Sequence, residues 1–154
     1  MKEWVRTTYA SIMKPGLEGD DCLGILTTRP GNECIVVSDD KDLMGIPGRL
    51  LRPSKDELLK LNVADADRFF LTQVLTGDPT DGYRGVPGIG PKKAETILGP
   101  RPHWGVVEQA YIKAGLTKGD ALTQARLSRI LRWPDWDTEK GEPIPWKPLD
   151  TKSS

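Results

Sequence analysis

The pattern of apolar and polar positions changes along the chain, and its first third predicts mixed helix and strand. Residues 18–28 (EGDDCLGILTT) place acids ahead of an apolar stretch, which predicts a helix. The short β-branched run at 33–38 (ECIVVS) predicts a buried parallel strand, and a second strand is predicted at 49–52. The capping-box residues at 54–57 (SKDE) predict a helix that runs to about Asn62.

Beyond residue 63 the apolar spacing is mostly helical. It predicts helices at 64–76, 91–98, 104–114 and 119–132, with core positions at Phe69, Phe70, Val74 and Leu75. From Pro134 onward the chain is rich in proline and tryptophan and is expected to be extended, with its tryptophans packed against the helices. The predicted class is therefore α/β: a partial α/β core at 1–53, a helical region at 54–133 and a tail at 134–154.

Charge is balanced overall but not along the chain. Lys and Arg number 22, as do Asp and Glu, so net charge indicates no partner. Residues 18–42 hold seven acids and two bases, whereas residues 84–101 hold four bases and one acid. An acidic surface beside a basic one is what a metal site adjoining a polyanion site would show.

Several classes of function and location find no support in the sequence. No apolar run approaches the roughly 20 residues of a membrane span, so a cytoplasmic protein without a membrane partner is expected. Cys22 and Cys34 lack metal-ligand spacing and are predicted to be buried free thiols. The single histidine, His103, lies at a helix start, and no serine has a visible His–Asp partner.

Acidic side chains recur at the ends of three predicted elements. They are Glu18, Asp20 and Asp21 in the first helix, Asp40 and Asp42 after the first strand, and Asp78 and Asp81 after the helix at 64–76. Carboxylates that converge repel one another, and hard divalent cations such as Mg²⁺ or Mn²⁺ relieve that repulsion. Two such ions roughly 4 Å apart activate water and stabilise the leaving oxygen in phosphodiester hydrolysis.

Each acidic cluster also has an ordinary structural interpretation. Acids at a helix start offset the macrodipole, and an aspartate in a loop commonly forms an Asx-turn. Asp39 is typical of a solvated turn residue. Each cluster taken alone favours the structural interpretation. The recurrence of all three makes the metal interpretation equally favoured.

The segment 85–94 (GVPGIGPKKA) is the most specific signal in the chain. Its glycines permit a tight hairpin, and Gly90 and Pro91 open a helix whose free N–H groups favour an anion. Lys92 and Lys93 follow directly, so the pattern predicts a contact with the phosphate backbone of DNA that carries no sequence information. A capped helix after a glycine-rich loop is the alternative, but it does not account for the two lysines.

Three segments together resemble a known family. GDPTDGYRGVPGIGPKKAETIL is similar to the helix-three-turn-helix signature of the 5′-nucleases, which include 5′–3′ exonucleases and flap endonucleases. LEGDDCLGIL resembles their E-x-D-D helix, and IVVSDDKDLM resembles their strand followed by G-D-K-D. The segments occur in family order, and the chain is most similar to exonucleases of small lytic phages. The resemblance implies a partial parallel sheet of the 5′-nuclease (PIN-like) fold and two-metal hydrolysis of DNA from 5′ ends or flaps.

The resemblance also implies roles for individual residues. The implied ligands of two Mg²⁺ or Mn²⁺ ions, or neighbours of such ligands, are Glu18, Asp20, Asp21, Asp40, Asp42, Asp78 and Asp81, with Asp21, Asp40 and Asp42 catalytic. The implied contacts to duplex DNA are Arg84, Gly85, Val86, Gly88, Ile89, Gly90, Lys92 and Lys93, with a K⁺ ion at the hairpin. Two positions depart from the family pattern, Asp39 for a glycine and Gly82 for a frequent asparagine.

The residues before Glu18 match neither the metal-binding first strand nor the helical arch of the family. The resemblance therefore implies the C-terminal part of such an enzyme, or a subunit whose metal site is completed by an N-terminal companion chain. A non-catalytic module that binds duplex DNA is the further alternative.

Overall fold

The computed structural model describes Trp4 and residues 11–148. Its helices are α1 (Gly19–Thr28), α2 (Val63–Thr76), α3 (Pro91–Leu98), α4 (Trp104–Lys113) and α5 (Lys118–Ser128). Its strands are β1 (Ile35–Val37), β2 (Gly48–Arg52), β3 (Glu57–Leu61), β4 (Trp136–Asp137) and β5 (Glu142–Pro143). Short 3₁₀ helices lie at Asp42–Gly45, Pro53–Lys55 and Trp133–Asp135. Predictions about residues 1–3, 5–10 and 149–154 lie outside the described residues.

The first three strands form one sheet in the order β1-β2-β3. β1 and β2 run parallel, with Val36 opposite Leu50, and both side chains are buried. They pack with Leu43, which lies in the 3₁₀ helix that follows β1, and with Ile46, the residue directly after that helix. A small mixed sheet, in which β1 and β2 are parallel, joined to helices confirms the predicted α/β class.

The predicted helix at 54–62 is wrong, because this segment forms a 3₁₀ turn and then β3. Ser54 does not cap a helix; its backbone N–H and its hydroxyl donate to the Asp39 carboxylate at 3.0 and 2.7 Å. Asp56 then adopts a left-handed backbone conformation (φ 49°) that a helix interior excludes. Antiparallel pairing with β2 sets Leu59 opposite Leu50, and this tertiary contact outweighs the local capping signal.

The predicted burial of β1 is also only partly right. Val36 is 6% exposed, whereas its neighbours Ile35 and Val37 are 46% and 61% exposed. One face of the strand therefore packs on the core, and the other face is open among the described residues. The run of three β-branched residues predicted burial on both faces.

The helical part is built around α2, which presents an apolar stripe to α3, α4 and α5. Phe70, Val74 and Leu75 are buried in this cluster as predicted, whereas Phe69 is half-buried. The Tyr111 hydroxyl on α4 donates to the Val74 carbonyl at 2.6 Å, which satisfies its polar atom inside an otherwise apolar interface. Burial raises the pKa of Tyr111 above its ordinary value.

α5 ends at Ser128, four residues earlier than predicted, because two arginines beyond it turn inward. Arg129 pairs with Asp135 at 2.9 Å, and Arg132 pairs with Asp67 at 2.7 Å. Helical continuation would carry these side chains around the helix axis and away from their partners. A buried charge left without its partner costs several kcal/mol, so these two pairs favour a chain that turns inward after Ser128.

The tail packs against the helices, as expected for its tryptophans. Trp146 makes edge-to-face contacts with Phe70 and Trp104, each with ring centroids 5.1 Å apart. Its carbonyl accepts a hydrogen bond from the Arg126 side chain at 3.2 Å. Before it, β4 and β5 form a two-stranded hairpin that the extended prediction did not include.

Two further expectations concern cysteines and membranes. Cys22 and Cys34 are free thiols, as predicted, but each is half-buried rather than fully buried. Among the described residues, none of the helices is both long and apolar enough to cross a membrane.

Candidate metal centre and nucleic-acid interface

The structure brings three of the predicted ligands together. Carboxylate oxygens of Asp42, Asp78 and Asp81 all lie within 4.8 Å of one another, and we call these residues the carboxylate cluster. Asp42 begins the 3₁₀ helix after β1, and the other two lie in the loop after α2. Asp42 and Asp78 are half-buried and Asp81 is exposed, so the cluster is open to solvent on one side. The donor set, oxygen alone, fits a hard divalent cation.

The interacting charges extend the acidic site beyond the carboxylate cluster to the start of α1. Burial raises the pKa of Asp20, and the charges of Asp40, Glu18, Asp21 and Asp81 raise it further. Burial likewise raises the pKa of Asp42; the Lys41 ammonium opposes this, and Asp40, Asp81 and Asp78 reinforce it. The start of α1, the segment after β1 and the loop after α2 therefore share one negative field.

Two residues that the sequence did not single out hold the cluster in place. The Lys41 ammonium lies 3.1 Å from Asp78 Oδ2 and 3.9 Å from Asp42 Oδ1. This contact raises the pKa of Lys41 and lowers the pKa of Asp78. From α2, Gln73 Nε2 donates to Asp42 Oδ1 at 2.7 Å. The Lys41–Asp78 and Gln73–Asp42 contacts each join residues more than 30 positions apart, which no local pattern reveals.

Two of the remaining predicted ligands, Asp21 and Asp40, accept hydrogen bonds from the chain's own N–H groups. Asp21 Oδ1 accepts from the Leu131 N–H at 3.0 Å, and its Oδ2 accepts from the Glu18 N–H at 3.4 Å. Asp40 Oδ1 accepts from the Asp42 N–H at 2.9 Å. Asp39 binds Ser54 in the turn after β2, and this contact lowers its pKa. Among the described residues, Glu18, Asp20, Asp21 and Asp40 lie outside the carboxylate cluster, and their role as ligands stays a prediction.

The glycine-rich segment folds as a hairpin, which we define as residues 85–90. Gly85 and Gly88 have positive φ angles of 61° and 75°. Val86 is 3% exposed, and its N–H donates to the Leu75 carbonyl at 2.8 Å, which anchors the hairpin on α2. Gly90 is the N-cap of α3, and Pro91 is its first residue. The hairpin therefore ends in an exposed helix start, where first-turn N–H groups lack helical partners.

The two lysines after the hairpin differ in their contacts. Both are exposed, but Lys93 Nζ donates to the Gly88 carbonyl at 2.9 Å and so closes the hairpin. Lys92 has no such contact to the hairpin. On the other side, Gln124 Oε1 of α5 accepts from the N–H groups of Arg84 and Gly85 at 2.9 and 3.3 Å. Gln124 is a hairpin support that the sequence did not predict.

A backbone contact joins the hairpin to the carboxylate cluster. The loop of residues 78–83, which we call the acidic loop, is closed at its base where Gly77 lies against Gly85. A Cβ on Gly85 would lie 2.3 Å from the Gly77 nitrogen, and a Cβ on Gly77 would lie 2.3 Å from the Arg84 carbonyl carbon. We call this contact the neck. Within the loop, Asp78 and Tyr83 exchange backbone hydrogen bonds at 2.9 and 3.2 Å.

The fold and the site define a mixed α/β protein in which an acidic centre adjoins a helix–hairpin–helix unit. No family model matches the chain. The chain is 28% identical to the exonuclease of Escherichia phage T7, over 93% of this chain and 60% of that protein. It is 36% identical to a 5′–3′ exonuclease of Mycobacterium tuberculosis, over 54% of this chain and 33% of that protein.

Solved structures share the fold. A metal-bound structure of the D15 protein of phage T5 superposes with a TM-score of 0.65 at 20% identity, over 80% of this chain and 53% of that one. A complex of the T5 D15 flap endonuclease with DNA and metal ions has a TM-score of 0.59 at 20% identity, over 82% of this chain and 56% of that one. The chain is thus similar to 5′–3′ exonucleases and shares its fold with a flap endonuclease, and it spans about 60% of the length of the T7 exonuclease.

Proposed function

We propose that this chain is a metal-dependent 5′–3′ exonuclease, or the C-terminal part of one, that hydrolyses DNA phosphodiester bonds from 5′ ends. The observation that carries the proposal is the neck, because it ties the glycine-rich hairpin to the base of the loop that carries Asp78 and Asp81. The phage exonucleases and the T5 complex with DNA and metal ions support the same activity. The phage relatives also favour a role in the cytoplasm of a host cell.

The carboxylates are proposed to hold two divalent ions, Mg²⁺ or Mn²⁺. Asp42, Asp78 and Asp81 fit one ion, because their oxygens already converge. Glu18, Asp20, Asp21 and Asp40 are the proposed ligands, direct or through water, of the other. When bound, such ions lower the pKa of water and offset charge on the phosphate. The charges that raise the pKa of Asp20 and Asp42 also favour a cation at this site.

The hairpin is proposed to hold duplex DNA by its phosphates. The contacts assigned to DNA are Arg84, Gly85, Val86, Gly88, Ile89, Gly90, Lys92 and Lys93. Val86 contributes by anchoring, since it is buried, whereas Gly88 and Gly90 are exposed and offer backbone to a phosphate. The K⁺ ion expected at the hairpin stays a prediction; the Gly88 carbonyl already accepts from the Lys93 ammonium.

A second candidate function is duplex binding without autonomous catalysis. It is favoured by the contacts of Asp21 with backbone N–H groups and of Lys41 with Asp78, which engage acidic groups through the chain itself. In this case a companion chain would complete the metal site. The hairpin and its contacts would serve both functions in the same way.

Incubation of the purified chain with 5′-labelled duplex and Mg²⁺ separates the two functions. Release of labelled nucleotide is expected from the wild type and not from Asp40→Ala/Asp42→Ala, which controls for contaminating nucleases. A chain that shifts duplex in a gel but releases no label is a binding module. Activity that begins only when an N-terminal 5′-nuclease fragment is added indicates a subunit.

The hairpin lysines are expected to bind DNA through their charge. Lys92→Ala/Lys93→Ala should weaken binding of all duplex sequences alike, because phosphate contacts carry no sequence information. The slope of log K against log salt should flatten by roughly 0.9 for each phosphate that the variant no longer neutralises. Titration of labelled duplex at several salt concentrations measures both quantities.

Two further variants sharpen this test. Lys140→Ala removes an exposed charge from the hairpin of β4 and β5 and should leave the slope unchanged. Lys92→Ala alone should flatten the slope without disturbing the Gly88 carbonyl, which Lys93 binds. Wild-type binding by the double variant would refute the assignment of the hairpin to DNA.

A further inference from the structure

Arg132 is a buried arginine whose contacts reach the element that carries Asp42. Its side chain is 7% exposed, and its Nη2 and Nε donate to the Gly45 carbonyl at 2.8 and 3.3 Å. Its Nη1 donates to Asp67 Oδ1 on α2 at 2.7 Å. One guanidinium thus binds the last residue of the 3₁₀ helix Asp42–Gly45 and the helix beside it. A planar, five-donor group suits such a bridge, and lysine could not reproduce it.

The 3₁₀ helix is therefore attached to α2 at both ends. At its start, Gln73 of α2 donates to the Asp42 carboxylate at 2.7 Å. At its end, Arg132 joins Gly45 to Asp67, which lies six positions earlier than Gln73 on α2. Two attachments fix both the position of a short helix along its neighbour and its rotation, whereas one attachment leaves the rotation free.

The position of this 3₁₀ helix determines the geometry of the carboxylate cluster. Asp42 lies on the 3₁₀ helix, while Asp78 and Asp81 follow directly after α2. A shift of the 3₁₀ helix along α2 therefore changes the distances from Asp42 to the two other carboxylates. We infer that Arg132 is a positioning residue that sets these distances and with them the affinity of the cluster for a divalent ion. This inference rests on the proposed function.

The segment that carries Arg132 is itself held from several sides. The Arg132 N–H donates to Asp135 Oδ2 at 3.0 Å, and Arg129 pairs with the same carboxylate. The neighbouring Leu131 N–H donates to Asp21 on α1. Arg132 is thus presented to Gly45 by a rigid support, which a positioning role requires.

Arg132→Gln tests the inference through metal binding without DNA. Mn²⁺ affinity is measured by titration at a temperature where circular dichroism shows each variant folded. The affinity of Arg132→Gln is expected to fall by about 10-fold or more, in the range found when a residue that orients a metal ligand is removed. Arg132→Lys is expected to lie between Arg132→Gln and the wild type.

Arg68→Gln is the matched control, because it breaks another arginine–carbonyl contact, from Arg68 to Gly99, that touches neither the 3₁₀ helix nor the segment of Arg132. Its Mn²⁺ affinity should stay within about twofold of wild type even though its stability falls. If Arg132→Gln proves unfolded, Asp67→Ala serves instead, because it removes the carboxylate that accepts from Arg132 Nη1 while the Gly45 contacts remain. Asp67 is 45% exposed, and a smaller fall in Mn²⁺ affinity than for Arg132→Gln is expected.

Three outcomes overturn the inference. Equal Mn²⁺ affinity in folded Arg132→Gln and in wild type, or in Asp67→Ala where that variant replaces it, shows that the arginine only stabilises the fold. An equal fall in Arg68→Gln and Arg132→Gln shows a general loss of stability. Failure of the wild type itself to bind Mn²⁺ overturns the proposed function, and the positioning role with it; the wild-type titration alone identifies that case.

Discussion

Gly85→Ala is expected to lower the free energy of unfolding by about 3 kcal/mol or more, which corresponds to a fall in Tm of roughly 6–12 °C. Two costs combine at this position. The φ angle of 61° is one that alanine adopts only with strain. An added Cβ would also lie 2.3 to 2.7 Å from three atoms of residues 75–77, all of them backbone. Backbone cannot rotate away as a side chain can, so the neck must open.

Gly88→Ala is the control that separates the two costs. Gly88 has a similar φ angle of 75°, but no atom lies within 4 Å of the position of an added Cβ. Its cost is therefore expected to be the backbone strain alone, about 1 kcal/mol. Thermal and urea unfolding of both variants measures the difference. Equal Tm values for the two variants would mean that the neck is not a close backbone contact.

The second large effect is expected at Asp42, where loss of function should accompany a gain in stability. Asp42→Asn keeps the oxygen that accepts from Gln73 but removes a charge from the carboxylate cluster. Metal affinity and nuclease activity should fall by more than about 100-fold, since losing a mere neighbour of a ligand costs roughly 10- to 100-fold. The metal-free variant should melt above the wild type, because the three side chains then repel one another less.

The pH dependence of the stability of the metal-free protein provides a second measurement of the effect of Asp42. Burial raises the pKa of Asp42, so the unfolded chain binds fewer protons at this group than the folded chain does. The contribution of Asp42 to stability therefore grows as pH falls through its raised folded pKa toward the unfolded value. Asp78, whose pKa is lowered by Lys41 and Thr80, contributes in the opposite direction at lower pH. Asp42→Asn should remove the first contribution and leave the second.

Glu139→Gln provides the charge-matched control. Glu139 is exposed in the hairpin of β4 and β5, and its neutralisation should change neither metal affinity nor the pH profile. Tm is measured in chelator between neutral and mildly acidic pH for the wild type and both variants. A metal-free Asp42→Asn that melts below wild type would contradict the idea that the cluster is held together against repulsion.

Short-range sequence patterns predicted the elements whose formation depends on interactions between residues close together in the chain. α3 begins at Pro91 after Gly90 as expected, because proline at the first helical position and glycine before it act within a few residues. The segment 54–61 shows the limit of such signals. Its capping residues favour a helix, but pairing of Leu59 with Leu50 and the contact of Ser54 with Asp39 form β3 instead. Neither partner can be read from the segment itself.

The candidate site was predictable to the same degree and for the same reason. Asp42, Asp78 and Asp81 were found because charged residues at element ends are visible in one sequence. Gln124 and Arg132 were not, because each binds backbone atoms at least 39 positions away. A backbone carbonyl or N–H is present at almost every residue, so a side chain that binds one leaves no pattern.

The neck has a consequence for where a nuclease of this design would cut. Because Gly77 and Gly85 touch through their backbones, the acidic loop can neither slide nor lengthen at its base. The distance from the hairpin to the carboxylate cluster is then fixed. Under the proposed function, this fixed distance determines which bond is cut. The hydrolysed bond lies a set number of nucleotides from the phosphates that the hairpin binds, whatever the base sequence.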